Sequence, residues 1–100
     1  RHASWLTPQA AALLARHHVA RVAADPARHG DDARPGGSAR FGYWRWHGQP
    51  KIYYSDYDAK ALDAIAIAVR AGPDDAWVVF DNTAAGHAIP NAAALQTRLR

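Results

Sequence analysis

A chain of 100 residues carrying a formal charge of +3 has room for one modest core. Without cysteine it has no disulfide framework and no thiolate chemistry. Ten arginines and two lysines against nine aspartates leave room for a polyanionic partner, but a surplus this small falls short of the basic face that nucleic-acid binding normally uses.

No apolar run reaches the roughly 20 residues of a membrane span and no signal peptide is visible, so no membrane partner is expected and the cytoplasm is the default compartment. The opening Arg1-His2-Ala3-Ser4-Trp5, without an initiating methionine, points to a processed protein or a fragment. Those five residues read as a loop. Thr7-Pro8 is a helix start, a hydroxyl cap followed by proline where a missing N–H costs nothing. Ala10 to Arg16 continue the helix, and Leu13 and Leu14 give it an apolar side. His17 and His18 are adjacent and point about 100° apart, so they cannot form the i, i+4 pair of a helical metal site.

Val19 to Ala24 predicts a strand covered on both faces, ending in Asp25-Pro26. Asp25 then stands at a strand C-terminal edge, where ligands gather in parallel α/β proteins, although Asp-Pro is also an ordinary turn. Residues 26–40 hold three glycines and no large apolar side chain, and predict a flexible loop without phosphate-loop spacing. Phe41 to Trp46 predicts the next strand. Its alternation puts Tyr43, Arg45 and His47 on one face and Trp44 and Trp46 on the other. Tryptophans packed on a helix leave an arginine facing the other layer, where it requires an anionic or accepting partner.

Asp58 caps a helix predicted over Ala59 to Ala71, with an apolar stripe of Leu62, Ile65, Ala66 and Val69, and Gly72-Pro73 ends it. Ala76 to Phe80 is a third strand. After the loop from Asp81 to Gly86, Pro90 or Asn91 opens a last helix. This alternation predicts an α/β fold with parallel strands and covering helices. Three such strands make a slice of a larger fold rather than a complete one, and the exposed sheet edges predict poor folding or association of the 100 residues alone.

At Arg1-His2-x-Ser4-Trp5, Trp44-Arg45-x-His47-Gly48, Tyr54-Ser55-x-Tyr57 and Phe80-Asp81-Asn82-Thr83 the chain resembles the YecE-like family, also called DUF72. The resemblance runs the length of the chain, with the motifs in the family's order. It implies a (β/α)8 TIM barrel of which residues 1–100 form the C-terminal portion. Arg1 to Trp5 would follow strand five, Val19 to Ala24 would be strand six, Phe41 to Trp46 strand seven and Trp77 to Phe80 strand eight. The N-terminal half of the barrel, or self-association, is then needed to complete the fold. The chain departs from the family pattern at Trp46, often leucine, and at Asp81, often asparagine.

Barrel enzymes place their sites at the strand C-terminal ends, which singles out two sets of residues. His47, Asp81 and Arg45 form a catalytic set: a general acid or base, its orienting partner, and a cation for developing negative charge. Arg1, His2, Trp5, Asp25, Tyr54, Tyr57, Asn82, Gly86 and Asn91 form a ligand-binding set, with N–H groups around Gly86 available to an anion. An anionic or phosphorylated small molecule suits this cluster, and hydrolysis is the reaction class considered. His2, His47, Asp25 and Asp81 lack compact metal-ligand spacing, so no metal site is assigned and no cofactor is named. Two alternatives stay open. Tyr43, Tyr53, Tyr54 and Tyr57 interleaved with Arg45 and Lys51 suit nucleic acid, and Arg45 with Asp81 suits a structural ion pair that organises the strand ends.

Overall fold

The computed structural model describes residues 2–100, position 31 as backbone only. A short 3-10 turn over Ala3–Leu6 replaces the opening loop predicted from sequence, because His2 Nδ1 accepts the Ser4 N–H at 3.2 Å and caps it. Thr7 Oγ1 accepts the Ala10 N–H at 3.2 Å and starts helix α1 (Pro8–Arg16), with Pro8 in the first turn as expected. Asp58 Oδ1 does the same for Ala61 at 2.8 Å, opening α2 (Ala59–Arg70). Helix α3 spans Ala88–Leu99 and begins ahead of the predicted Pro90. Pro90 sits inside its first turn, where no N–H is needed.

The strand predicted over Val19 to Ala24 divides in two, as β1 (Ala20–Arg21) and β2 (Ala23–Asp25). The cause lies in the glycine-rich segment that follows. It forms a 3-10 turn at Gly30–Ala33 and a short strand β3 (Gly36–Gly37) that pairs antiparallel with β1, Ala20 opposite Gly37. Residues 26–40 are therefore more than a loop. Coverage on both faces holds for Ala23 and Ala24 but fails for Val19 and Val22, which are exposed where the chain leaves the main sheet.

That sheet has the order β2-β4-β5, with β4 at Gly42–Trp46 and β5 at Ala76–Phe80, all parallel. Its register runs Asp25, Trp46, Phe80 across the three strands. Among the described residues the sheets have two and three strands, and no barrel closes.

The alternation in β4 sorts the chemistry. Trp44 and Trp46 are buried with Leu62, Ile65, Ala66 and Val69 of α2, and Phe80, Ala88 and Leu95 extend that core toward α3. Burying side chains of this size stabilises by about 1.5–3 kcal/mol each. Trp44 is 1% exposed, and its ring fills the space where a Cβ on Gly42 or Gly72 would collide with it. Those two glycines flank the elements that meet there and make room for the indole. The opposite sheet face carries Tyr43 beside Trp77 and Arg45 beside Val79, and Trp77 there is 61% exposed. One face is a core; the other is open.

Candidate functional site

The register delivers the next residue of each strand to one place. Beyond the aligned Asp25, Trp46 and Phe80, the chain continues into His47 just after β4 and Asp81 just after β5. The His47 N–H donates to the Asp25 carbonyl at 2.9 Å and the Asp81 N–H to the Trp46 carbonyl at 2.8 Å, so the ladder extends one step into the loops. This is the C-terminal edge of a parallel sheet, where α/β proteins collect their functional side chains.

Arg45, His47 and Asp81 converge on a single oxygen. Arg45 Nε and Nη2 donate to Asp81 Oδ2 at 2.9 and 2.7 Å. His47 Nε2 lies 3.4 Å from the same atom, and His47 Nδ1 lies 3.1 Å from the Asp25 carbonyl oxygen. Both ring nitrogens thus face acceptors belonging to the protein. The Arg45 side chain is 46% exposed, so the pair is half open to water rather than buried. Alternation put Arg45 and His47 on one face and the structure adds Asp81 from β5's end, but a buried arginine is not what forms.

A second polar cluster lies on the covered side. Tyr57 donates its hydroxyl proton to Asp25 Oδ2 at 2.7 Å while accepting the Gly48 N–H at 2.9 Å. Gly48 adopts φ +94°, a left-handed conformation that glycine takes without penalty. Gln49 Nε2 holds the other Asp25 oxygen at 2.7 Å. Burial, and after it the hydrogen bond to the Asp25 carboxylate, push the Tyr57 hydroxyl well above its ordinary pKa, keeping it a donor.

Asparagines extend this network to α3. Asn82 Nδ2 donates to Asn91 Oδ1 at 2.8 Å and to the Ser55 carbonyl at 3.0 Å. Asn91 Oδ1 also accepts the Tyr57 N–H at 3.3 Å, and its Nδ2 donates to Asp56 Oδ1 at 2.8 Å and the Tyr57 carbonyl at 3.3 Å. Asn91 alone thereby ties α3 to the loop before α2 and to the loop after β5. Asn82 is 0% exposed, and its Oδ1 meets no partner among the described residues.

The remaining sequence candidates fall elsewhere. Tyr54 is exposed, with Lys51 Nζ 4.1 Å above its ring. Gly86 has φ +81°, but its N–H donates to the Thr83 carbonyl at 3.0 Å and so is not free for an anion. His2 and Trp5 line a different cavity of about 320 Å³ with Leu14, Arg21 and Asp32, and do not join the Arg45 cluster. Arg1 lies outside the described residues. Gln49 and Asp56 are participants that sequence reasoning missed. Asp56 lies between the two motif residues Ser55 and Tyr57, which is the one signal that pointed to it. Among the described residues no group of three or more His, Cys, Asp or Glu is placed to hold a metal ion, and no helix is long and apolar enough to cross a membrane.

A family profile described as "Protein of unknown function DUF72" matches residues 1–100. The chain belongs to the DUF72 family. A solved DUF72 protein from Enterococcus faecalis V583 is similar at a TM-score of 0.82 and 19% identity, covering 99% of this chain and 45% of its own. Another, from Thermotoga maritima MSB8, gives a TM-score of 0.71 and 23% identity over 96% of this chain and 42% of its own. This DUF72 chain therefore spans less than half the length of both. No curated protein matches it.

Proposed function

We propose that the strand-end cluster of Arg45, His47 and Asp81 is a non-catalytic structural ion-pair network that organises the mouth of a larger fold. One observation carries this reading: the side chains of this cluster are already directed at acceptors within the protein. Arg45 places two nitrogens on Asp81 Oδ2, and both His47 nitrogens face protein oxygens. An acid–base catalyst needs a nitrogen within reach of substrate, and an anion site needs a cation not already neutralised by a carboxylate. Hydrolysis of a phosphorylated small molecule therefore has less support from these residues.

The larger fold in this proposal is a YecE-like (β/α)8 barrel acting in the cytoplasm. Residues 1–100 would form its C-terminal part, with β2, β4 and β5 as strands six to eight. The open face around Tyr43, Trp77 and Arg45 would meet the N-terminal strands or a second copy. The share of the solved DUF72 structures left uncovered and the exposed Trp77 support that assignment.

Calorimetric titration of inorganic phosphate into the protein and its Arg45→Ala variant tests the network reading. Phosphate is expected to show no saturable heat that depends on Arg45. Saturable binding abolished in the variant would replace the structural role with an anion site.

A second reading rests on a separate observation. Tyr53 and Tyr54 are each about half exposed beside Lys51, an arrangement that suits base stacking and phosphate contact in single-stranded nucleic acid. Anisotropy of a labelled oligonucleotide would then weaken with salt and with Tyr54→Ala; indifference to both removes this reading.

A further inference from the structure

Both edges of the main sheet lack a ladder partner among the described residues, and they differ in kind. One edge is β5, five residues without a charge. Trp77 stands exposed on its open face. On its covered face an apolar groove of about 550 Å³ runs between Val78 and Phe80 of β5 and Ile89, Ala92, Ala93 and Gln96 of α3. Gln96 is the only polar side chain among the described residues lining it, and Ile89 is 83% exposed. A free edge with apolar surface on both faces is a template for a further strand and its cover.

The other edge is β2, paired only with β4. Helix α1 precedes it in the chain, and no residue of α1 is buried. Leu13 is 42% exposed, and Trp5, Val19 and Val22 on either side of the helix in sequence are exposed too. An amphipathic helix in this state lacks the partner its apolar stripe requires. Charge separates the two edges further. Residues 1–24 hold no acidic side chain, and Arg16, His17 and His18 are exposed ahead of β1 and β2. Residues 71–86 hold no basic side chain, and Asp74 and Asp75 are exposed directly ahead of β5.

We infer that β5 and the α3 groove of one copy receive β2 and α1 of a second copy of this chain, with the strands parallel. Parallel pairing brings the two strand starts together, so Asp74 and Asp75 meet Arg16 of the partner subunit. Pairing β5 with its own copy about a two-fold axis runs antiparallel instead and sets Asp75 of each chain beside Asp81 of the other, a like-charge contact. Contacts between different edges either close into a ring or propagate. Two chains together come close to the length of one solved DUF72 protein, which favours closure after two copies. The inference rests on the reading of this chain as part of a larger β/α fold and names the partner that completes it.

Sedimentation velocity of the 100-residue protein over a range of concentrations is the test, and a reversible species with the mass of two chains is expected. Ile89→Lys puts a charge into the groove from an exposed position and is expected to raise the dimer Kd about 10-fold or more. Asp74→Lys combined with Asp75→Lys is expected to weaken the dimer by a smaller factor that shrinks with salt, and adding Arg16→Glu to that variant restores pairing. All four positions are exposed, so the far-UV circular dichroism of every variant is expected to match the wild type. A monomer at every concentration, an assembly larger than two, a dimer indifferent to Ile89→Lys, or the absence of rescue by Arg16→Glu overturns the proposal. A monomer leaves the N-terminal strands as the partner, so the larger-fold reading survives that result, and the phosphate titration decides the Arg45 network independently.

Discussion

Two polar clusters sit at the same strand ends, one residue apart in sequence, and they obey different physics. Arg45 and Asp81 form an ion pair on the open face, with Arg45 half exposed, where water screens the pair and competes for its hydrogen bonds. Asp25, Tyr57, Asn82 and Asn91 lie on the covered side, where every broken bond leaves a polar group away from water. The period of two in β4 makes the division, sending Arg45 and His47 one way and Trp44 and Trp46 the other. Charged residues attract attention in a sequence, yet here the amides and a phenol hold more of the structure.

The comparison is broken most easily at Asn91. Asn91→Ala removes four hydrogen bonds at once, stranding the Tyr57 N–H and leaving the Asn82 amide with its Ser55 contact alone. Urea unfolding should show a loss of about 3 kcal/mol or more.

Tyr57→Phe comes next, at about 1–3 kcal/mol, because it leaves the Gly48 N–H and Asp25 short of a partner. It also has a signature in pH. The folded-state pKa of Tyr57 lies above the unfolded value of about 10. Above that pH the unfolded chain releases a proton that the folded protein retains, so this contribution is present below about pH 10 and declines as pH rises toward the folded value. The wild-type protein should therefore lose stability above pH 10 more steeply than Tyr57→Phe. Parallel curves would show that the hydroxyl is not held as described.

Arg45→Ala should have the smallest effect, within about 1 kcal/mol, and should shrink further as salt is added. A loss of several kcal/mol would mean that the pair is desolvated by something packed on the open face.

The elements were legible in the sequence wherever local chemistry specified them. Thr7-Pro8 and Asp58 start their helices as cap chemistry requires, and the apolar stripe from Leu62 to Val69 faces the core. Strand alternation put Arg45 and His47 on one face, and Asp81 was placed beside them only through the family resemblance. Local rules failed where distant segments decide. The splitting of Val19 to Ala24 depends on Gly36 and Gly37 returning to pair with β1, which no window around Val22 reveals. Asn91 was visible as a helix start, but its bonds to Tyr57 and Asn82 require α3 to dock on two loops far from it in sequence. At Gly86 the deciding contact is local instead, since its N–H closes its own turn on Thr83.

The claim that the covered network outweighs the open ion pair is tested most directly by paired double-mutant cycles in urea, Asn82→Ala with Asn91→Ala against Arg45→Ala with Asp81→Ala. The account predicts a coupling energy for the asparagines clearly above that of the ion pair, which should stay below about 1 kcal/mol. An ion-pair coupling equal to or larger than the asparagine coupling would contradict it.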